Sequence, residues 1–463
     1  MISHRKMKFY GIRDLDSIPQ IHNLSEDQRF EIKVVSTVLP FRVNNYVIEE
    51  LIDWDNIPND PIFQLTFMQK DMLTDDQFGR VANILCNGYD DSEIKNVVEE
   101  IRLELNPHPA GQMTMNVPSL YEKPIPGVQH KYKETVLLFP SSGQTCHAYC
   151  TFCFRWAQFV GMNDLKFATD ESKQFQYYLI AKKDVTDVLI TGGDPMIMSA
   201  KNLASYIEPL LEPEFEHIRN IRIGTKSVAY WPYRFVTDND SDDILRLFEK
   251  IVNSGKHLAV MGHYNHWKEL STDVAKEAVR KIRNTGAQIR TQSPLIKHVN
   301  DNPDVWTKLW LEQVKLGCIP YYFFVERNTG PKDYFEIPLY RAYEIYKNAY
   351  ENVSGLSRTV RGPSMSALPG KVSVEGITEI YGEKVFVLTL LQARNPKWVK
   401  KSFFAKFDEK ATWMSDLRPA FGEDKFFYQD ELNQMIRESE GHSNIQPDET
   451  FEFFANTELN ADD

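Results

Sequence analysis

The sequence predicts an α/β protein: a parallel sheet built from βα units, preceded by a mostly helical region and followed by an extension of different texture. Three observations predict it. Six short β-branched or apolar runs, ETVLLFP, TDVLITGG, NIRIGT, HLAVMGHY, QIRTQSP and IPYYFFVE, follow one another between residues 134 and 326. Segments of helical period lie between them, the alternation that βα crossovers require. The alternation starts near Lys131 and stops near residue 395.

Residues 1–125 read as polar helical segments broken by turn signals, such as LSEDQRFEIKVVSTVLPFRVNNYVIEELI followed by DWDNIPNDPIF. Prolines at 107, 109, 118, 124 and 126 then mark an extended connection and a domain boundary. Residues 126–395 hold the strands. In STDVAKEAVRKIRNTG the apolar residues Val274, Ala275, Ala278, Val279 and Ile282 share one helical face, with Ser271 as the expected N-cap and Gly286 as the stop. SDDILRLFEKIVNSG repeats the design. Near-continuous apolar strands imply a sheet covered on both faces or closed into a barrel, with the chemistry at the C-terminal strand ends. Residues 396–463 are aromatic and charged and finish in an acidic stretch, which reads as an extension ending in a tail.

The whole chain narrows the function classes. Its 463 residues are 42% hydrophobic and 25% charged, and no apolar run approaches the length of a membrane span, so a soluble protein is expected. The N-terminal MISHRKMKFYGIRDLDSIPQ lacks the apolar stretch of a secretory signal, which predicts a cytoplasmic location. A net charge of −12 argues against nucleic acid as a partner, though not against a local basic pocket. Five cysteines, with Cys86 and Cys318 far from the others, do not make a disulfide framework.

The remaining three cysteines carry chemistry. In QTCHAYCTFCFRW, Cys146, Cys150 and Cys153 form a C-x3-C-x2-C pattern just after the first strand. One loop with three thiolates can wrap a corner of an iron–sulfur cube and leave the fourth iron open to a small molecule. The alternatives are a structural zinc site completed by His147 or a remote ligand, and three buried thiols. Structural zinc motifs carry paired C-x2-C units or a histidine pair, and this stretch has neither.

The pattern resembles the radical S-adenosylmethionine superfamily. DVLITGGDPM continues the resemblance: Gly192, Gly193 and Asp194 match its motif for the methionine amino group, one βα unit after the cysteines. GVQHKYKETVLL, NIRIGTKS, GHYNHWKELS, RTQSPLIKHVND and IPYYFFVE further resemble lysine 2,3-aminomutase and its relatives, in the family's order, over roughly residues 35 to 395. The resemblance implies a partial (β/α)6 barrel, a 4Fe–4S cluster on the three cysteines, S-adenosylmethionine, an electron donor such as flavodoxin or ferredoxin, and a homo-oligomer. It also implies pyridoxal phosphate, held as a Schiff base by Lys371 of SALPGKVSVEG. Lys131, Tyr132 and Gln292 match positions near that cofactor, and His263 matches a histidine near S-adenosylmethionine.

Departures from the family are as informative. Thr135 stands where an arginine usually helps to hold pyridoxal phosphate, with Lys133 a candidate substitute, and the loop before Lys371 reads Ala367-Leu368-Pro369-Gly370 rather than a run of glycines. The family's zinc-binding cysteines lack counterparts, Asn302 standing at one such place, so no zinc is expected. Arg155 matches the arginine that grips the substrate carboxylate, a task suited to its planar fork. Where lysine-specific members bind the remote ammonium with two aspartates, this chain has Arg327 and Ser364. A buried cation repels an ammonium, so the expected substrate is an acidic or polar amino acid rather than lysine, unless Glu326 neutralises Arg327. The leading expectation is a pyridoxal-phosphate-dependent 2,3-aminomutase moving an α-amino group to the β-carbon. The alternatives are a radical enzyme of changed reaction, independent of pyridoxal phosphate and acting on a peptide or natural-product intermediate, and a non-catalytic metal-binding protein.

Overall fold

The computed structural model describes residues 2–88, 90–107, 115–162, 167–170 and 172–442; the acidic tail and part of the proline-rich connection, including Pro109, lie outside them. Its centre is one sheet of eleven strands, hydrogen-bonded in chain order. We number them β1 (Val128–Tyr132), β2 (Thr135–Leu138), β3 (Asp187–Ile190), β4 (Asn220–Thr225), β5 (His257–His263), β6 (Gln288–Leu295), β7 (Ile319–Val325), β8 (Arg361–Ser366), β9 (Gly370–Ile380), β10 (Glu383–Ala393) and β11 (Ser402–Lys406).

Strands β2 to β7 are the six read from the sequence, and every neighbouring pair is parallel. β8 adds a seventh parallel strand that the sequence reading missed, because RGPSMS lacks the β-branched signature. β1 and β9 to β11 run antiparallel. The helices Ser172–Ala181, Ala200–Ile207, Ser241–Asn253, Asp273–Asn284, Pro303–Lys315 and Leu339–Glu351 separate the parallel strands. The helix at Asp273 is capped by the Thr272 hydroxyl, accepting from the Ala275 amide at 3.2 Å, so the cap lies one residue beyond the expected Ser271. Ser271 instead ends the preceding short turn.

The strands are less uniformly apolar than expected. In β4, Ile221, Ile223 and Thr225 are buried, whereas Asn220, Arg222 and Gly224 between them stay partly exposed, and β6 repeats this with Gln292 partly exposed. One face packs under helices and the other lines a polar space, an alternation that a fully packed parallel sheet does not show. β1 also reaches the far side of the parallel strands: Lys131 donates from Nζ to the carbonyl of Ala367, between β8 and β9. No backbone ladder joins β1 to β11 among the described strands.

The N-terminal region is mostly helical, with Phe9–Gly11 and Arg42–Asn44 paired as a small antiparallel ribbon. Its buried residues, from Tyr10 to Ile101, share one apolar core with the strands and helices up to Val360. A second core runs from Val325 to Leu432 and packs β8 to β11 against the C-terminal segment. Asp60 pins the first region to the sheet. Its fully buried carboxylate accepts from the amides of Ile62 and Phe63 at 2.9 Å and pairs with Lys268 at 2.6 Å. Asp60→Ala removes a helix cap and strands Lys268, so it should lower unfolding free energy by about 2–4 kcal/mol, read as a fall in melting temperature; a shift of under a degree would refute this pinning.

Candidate active site

The cysteine loop follows β2 and is gripped from two sides. On one side the N-terminal region holds its backbone. The Tyr149 amide donates to the Arg42 carbonyl (2.8 Å), the Thr151 amide and hydroxyl donate to the carbonyls of Leu65 (3.0 Å) and Gln64 (2.8 Å), and the Asn44 amide donates to the His147 carbonyl (2.9 Å). On the other side the Asp194 amide donates to the carbonyls of Gly143 (3.1 Å) and Thr145 (2.7 Å). A Cβ on Gly193 would lie 2.5 Å from the Thr145 oxygen, and one on Gly192 2.9 Å from the Gly143 oxygen. The two glycines are therefore required by close approach of the turn to the cysteine loop, as well as by the positive φ of 157° at Gly192.

Asp194 itself faces inward. Its carboxylate accepts from the Thr225 hydroxyl (2.7 Å), the amides of Met196, Lys226 and Ser227 (2.9, 2.8 and 3.0 Å) and the Ser227 hydroxyl (3.0 Å). Ser227 in turn bonds His147 Nδ1 at 2.8 Å, so the histidine considered as a zinc ligand is occupied beneath the loop.

Cys146, Cys150 and Cys153 are unpaired and half-buried; burial pushes each pKa up, Cys150 to about 12 and Cys153 to about 11, and neighbouring thiols add to the rise at Cys146 and Cys150. Among the described residues no three His, Cys, Asp or Glu side chains converge on a single ion. Thiols buried to this degree need a cationic group beside them to ionise, which an iron–sulfur cluster would supply. The buried Nε2 of His263 and Nε of Arg155 have no hydrogen-bond partner, as atoms reserved for a ligand would be. His263 stands edge-on to Phe152 of the cysteine loop at 5.7 Å.

A second cluster lies beside it. Strand register sets His263, Gln292, Tyr322 and Arg361 side by side across β5 to β8. The Lys371 ammonium nitrogen lies 3.8 Å from the centre of the Tyr322 ring, and the Arg361 guanidinium 4.5 Å from it. Burial, then Arg222, Arg361 and Arg327, hold the Lys371 pKa well below its ordinary value and so favour the neutral, nucleophilic amine. Lys131 is depressed in the same way by burial and by Arg394, Arg327 and Lys371. Tyr132 lies in the field of Arg327 and Arg394, with its pKa pushed up to about 12 by burial. Burial brings the Arg155 pKa down to about 10, in the field of Cys153, Cys146 and Arg327.

Sequence reasoning thus brought Lys131, Tyr132, Gln292, Arg155, Arg327 and Lys371 to one region, and missed Arg361 and Arg394, which carry no motif, and Arg222, which lies in NIRIGTKS but was not singled out there. One expectation is corrected: Lys133 cannot stand in for an arginine at 135, because it is exposed and pairs with Asp184 at 3.6 Å. Ser364 is fully buried between β7 and β9 and its Oγ donates to the Phe323 carbonyl at 3.4 Å. Asn302, at the family's zinc position, caps the helix Pro303–Lys315.

No helix among the described residues is long and apolar enough to cross a membrane. No family model matches the chain. A protein of Aquifex aeolicus, provisionally named L-lysine 2,3-aminomutase, is 31% identical over 413 residues, covering 89% of this chain and 95% of its own. L-Lysine 2,3-aminomutase of Fusobacterium nucleatum is 28% identical over 50% of this chain and 52% of its own, and glutamate 2,3-aminomutase of Clostridioides difficile 24% identical over 75% and 70%. Among solved structures, a radical SAM methyltransferase from Sphaerobacter thermophilus shares 17% identity over 50% of this chain and 68% of its own at a TM-score of 0.34, too slight a likeness to add to the sequence match. The relatives imply an iron–sulfur cluster and S-adenosylmethionine, and the donor set described above fits both. The chain belongs to the lysine 2,3-aminomutase family of radical S-adenosylmethionine enzymes.

Proposed function

We propose that the protein is a pyridoxal-phosphate-dependent 2,3-aminomutase acting on an acidic amino acid, in a partial barrel across which Lys131 of β1 reaches Ala367. One observation supports this reading above the others: among the described residues, Lys131, Arg155, Arg327, Arg361, Lys371 and Arg394 have no ion-pair partner. Neighbouring cations left without carboxylates suit a ligand that brings several negative charges, such as a phosphate and a dicarboxylate. Glu326 does not neutralise Arg327, because burial lifts its carboxyl to about 8 and leaves it largely protonated at neutral pH.

In this reading Arg155 holds the α-carboxylate and Arg327, stacked 4.3 Å from the Phe154 ring, holds the side-chain carboxylate. The depressed Lys371 amine is the group that captures the pyridoxal aldehyde, with Tyr132 and Gln292 beside it. The cysteine loop presents Cys146, Cys150 and Cys153 to the cluster, and His263 Nε2 faces S-adenosylmethionine. When bound, the cluster and S-adenosylmethionine supply a radical initiator, and pyridoxal phosphate supplies a ring that spreads an unpaired electron. An electron donor of the flavodoxin or ferredoxin kind and a homo-oligomeric state belong to the same proposal.

The direct test is incubation of the reconstituted enzyme with single amino acids. Glutamate or aspartate should yield the β-isomer while lysine stays unchanged; turnover of lysine alone would sink the reading. Arg327→Met should lower kcat/KM for the dicarboxylate by about 10²–10³-fold, the loss typical of removing a buried charge partner. A pH profile checks Glu326. Its folded pKa of about 8 exceeds the ordinary 4.5, so the carboxyl ionises as pH rises through about 8 and stability falls between those values. Above pH 8 the new carboxylate competes for Arg327, so KM should rise, and Glu326→Gln should flatten that rise.

A further inference from the structure

We propose that Arg394 is a positioning residue that, with Lys131, locks the loop Ser366–Lys371 and so aims the Lys371 amine. The inference rests on the reading that Lys371 captures pyridoxal phosphate, and concerns what holds it in place. The loop between β8 and β9 contains one glycine, and that glycine answers a local need: a Cβ on Gly370 would lie 2.2 Å from the Gln392 oxygen of β10. Something else must fix the other residues. Each of the three carbonyls before Gly370 is taken. Ala367 accepts from Lys131 Nζ and from the Gly370 amide at 3.2 Å, Leu368 accepts from Arg394 Nε at 2.8 Å, and Pro369 accepts from the Arg394 amide at 3.1 Å.

The far end of the Arg394 guanidinium reaches the segment leading into β1. It donates to the Asn116 Oδ1 at 2.6 Å and to the Met115 carbonyl at 3.4 Å. The residue therefore ties three stretches far apart in sequence: the segment just after β10, the lysine loop, and the connection ahead of β1. Asn116 is itself buried, so its oxygen is a fixed point rather than a solvated one. A guanidinium can span this gap because its donors are rigidly spread in a plane, whereas a lysine ammonium offers one point of charge. No carboxylate pairs with Arg394 among the described residues, so its donors go to backbone and amide oxygens rather than to an acid.

The consequence falls on Lys371. It opens β9 opposite Gln392, with a register shift at the next residue, and pairs with Ser366 across the loop. A loop free to move would let the amine leave its place over Tyr322 and Phe324, 3.8 and 5.2 Å from their ring centres, and escape the field of the three arginines. Locking the loop keeps the side chain at one depth.

The test compares the full chain, Arg394→Lys, Arg394→Met and Asn116→Ala after anaerobic loading with iron and sulfide. Two readouts are taken: amide hydrogen exchange over residues 366–372 without pyridoxal phosphate, and borohydride trapping of a pyridoxyl group on Lys371 at limiting pyridoxal phosphate. Arg394→Met should speed exchange of the Gly370 and Lys371 amides more than tenfold and cut trapping at Lys371 more than tenfold, with iron content and exchange elsewhere unchanged. Arg394→Lys should fall between, and Asn116→Ala should give a smaller change confined to the same peptide. Wild-type exchange and trapping in Arg394→Met would overturn the proposal, as would acceleration spread evenly over the sheet. A wild-type chain that traps nothing on Lys371 would overturn the pyridoxal reading alone, and the exchange data would still decide the lock.

Discussion

The carboxylate of Asp194 is the interaction on which the rest of the site depends. It gathers donors from Thr225, Met196, Lys226 and Ser227, and the same residue's amide faces two carbonyls of the cysteine loop. One buried residue thus ties the ends of β3 and β4 together and, through its amide, to the cysteine loop that follows β2. Ionised groups buried to this degree persist only when every lone pair is met, and each donor here would cost about 1–3 kcal/mol if left unmade. The hub is therefore all-or-none. Its rigidity passes through Ser227 to His147, and from the His147 carbonyl to Asn44 of the N-terminal ribbon, so the helical region and the sheet hold the three cysteines between them.

The second cluster is built on the opposite principle. Its cations sit close together and lack acids, an arrangement that costs stability in the empty protein because like charges share a poorly solvated space. Such a cost persists where a ligand repays it on binding, and any anion that binds only the folded chain stabilises it by mass action. The depressed Lys371 and Lys131 pKa values follow from the same crowding. Nucleophilicity and anion affinity are thus two results of one charge arrangement, and a carboxylate introduced among these groups would weaken both.

Much of this was legible in the chain itself. The six parallel strands showed because βα alternation is a local, periodic signal, and the cysteine loop showed because three ligands of one cluster lie within eight positions. What stayed hidden depends on distant partners. Arg361 and Arg394 sit in a strand or just after one with no neighbouring motif, Arg222 lies unmarked within NIRIGTKS, and only the register of β4 to β8 and the contact of Lys131 with the loop before β9 bring them near Lys371. Asp194 was read as part of a ligand motif, and its carboxylate is also the buried acceptor that joins the ends of β3 and β4, a structural task that the spacing of Gly-Gly-Asp does not announce. Ser364, aligned with a ligand-binding position, lies in a strand paired on both sides, where its hydroxyl donates to the Phe323 carbonyl, a contact that no local pattern foretells.

The two apolar cores explain why these opposite principles can coexist. The cysteine loop belongs to the core that runs from Tyr10 to Val360, where packing is continuous with the helices and the hub of Asp194 is sealed. Lys371 begins the antiparallel strands of the second core, which shares Val325 and Leu339 with the neighbourhood of β7 but is otherwise made of β8 to β11 and the C-terminal segment. The cysteine loop is held from both sides by backbone hydrogen bonds, whereas the loop before Lys371 is held by two long side chains. Hydrogen bonds from Lys131 and Arg394 meet the carbonyls of Ala367 and Leu368, so polar contacts tie the second core to β1 and through it to the first.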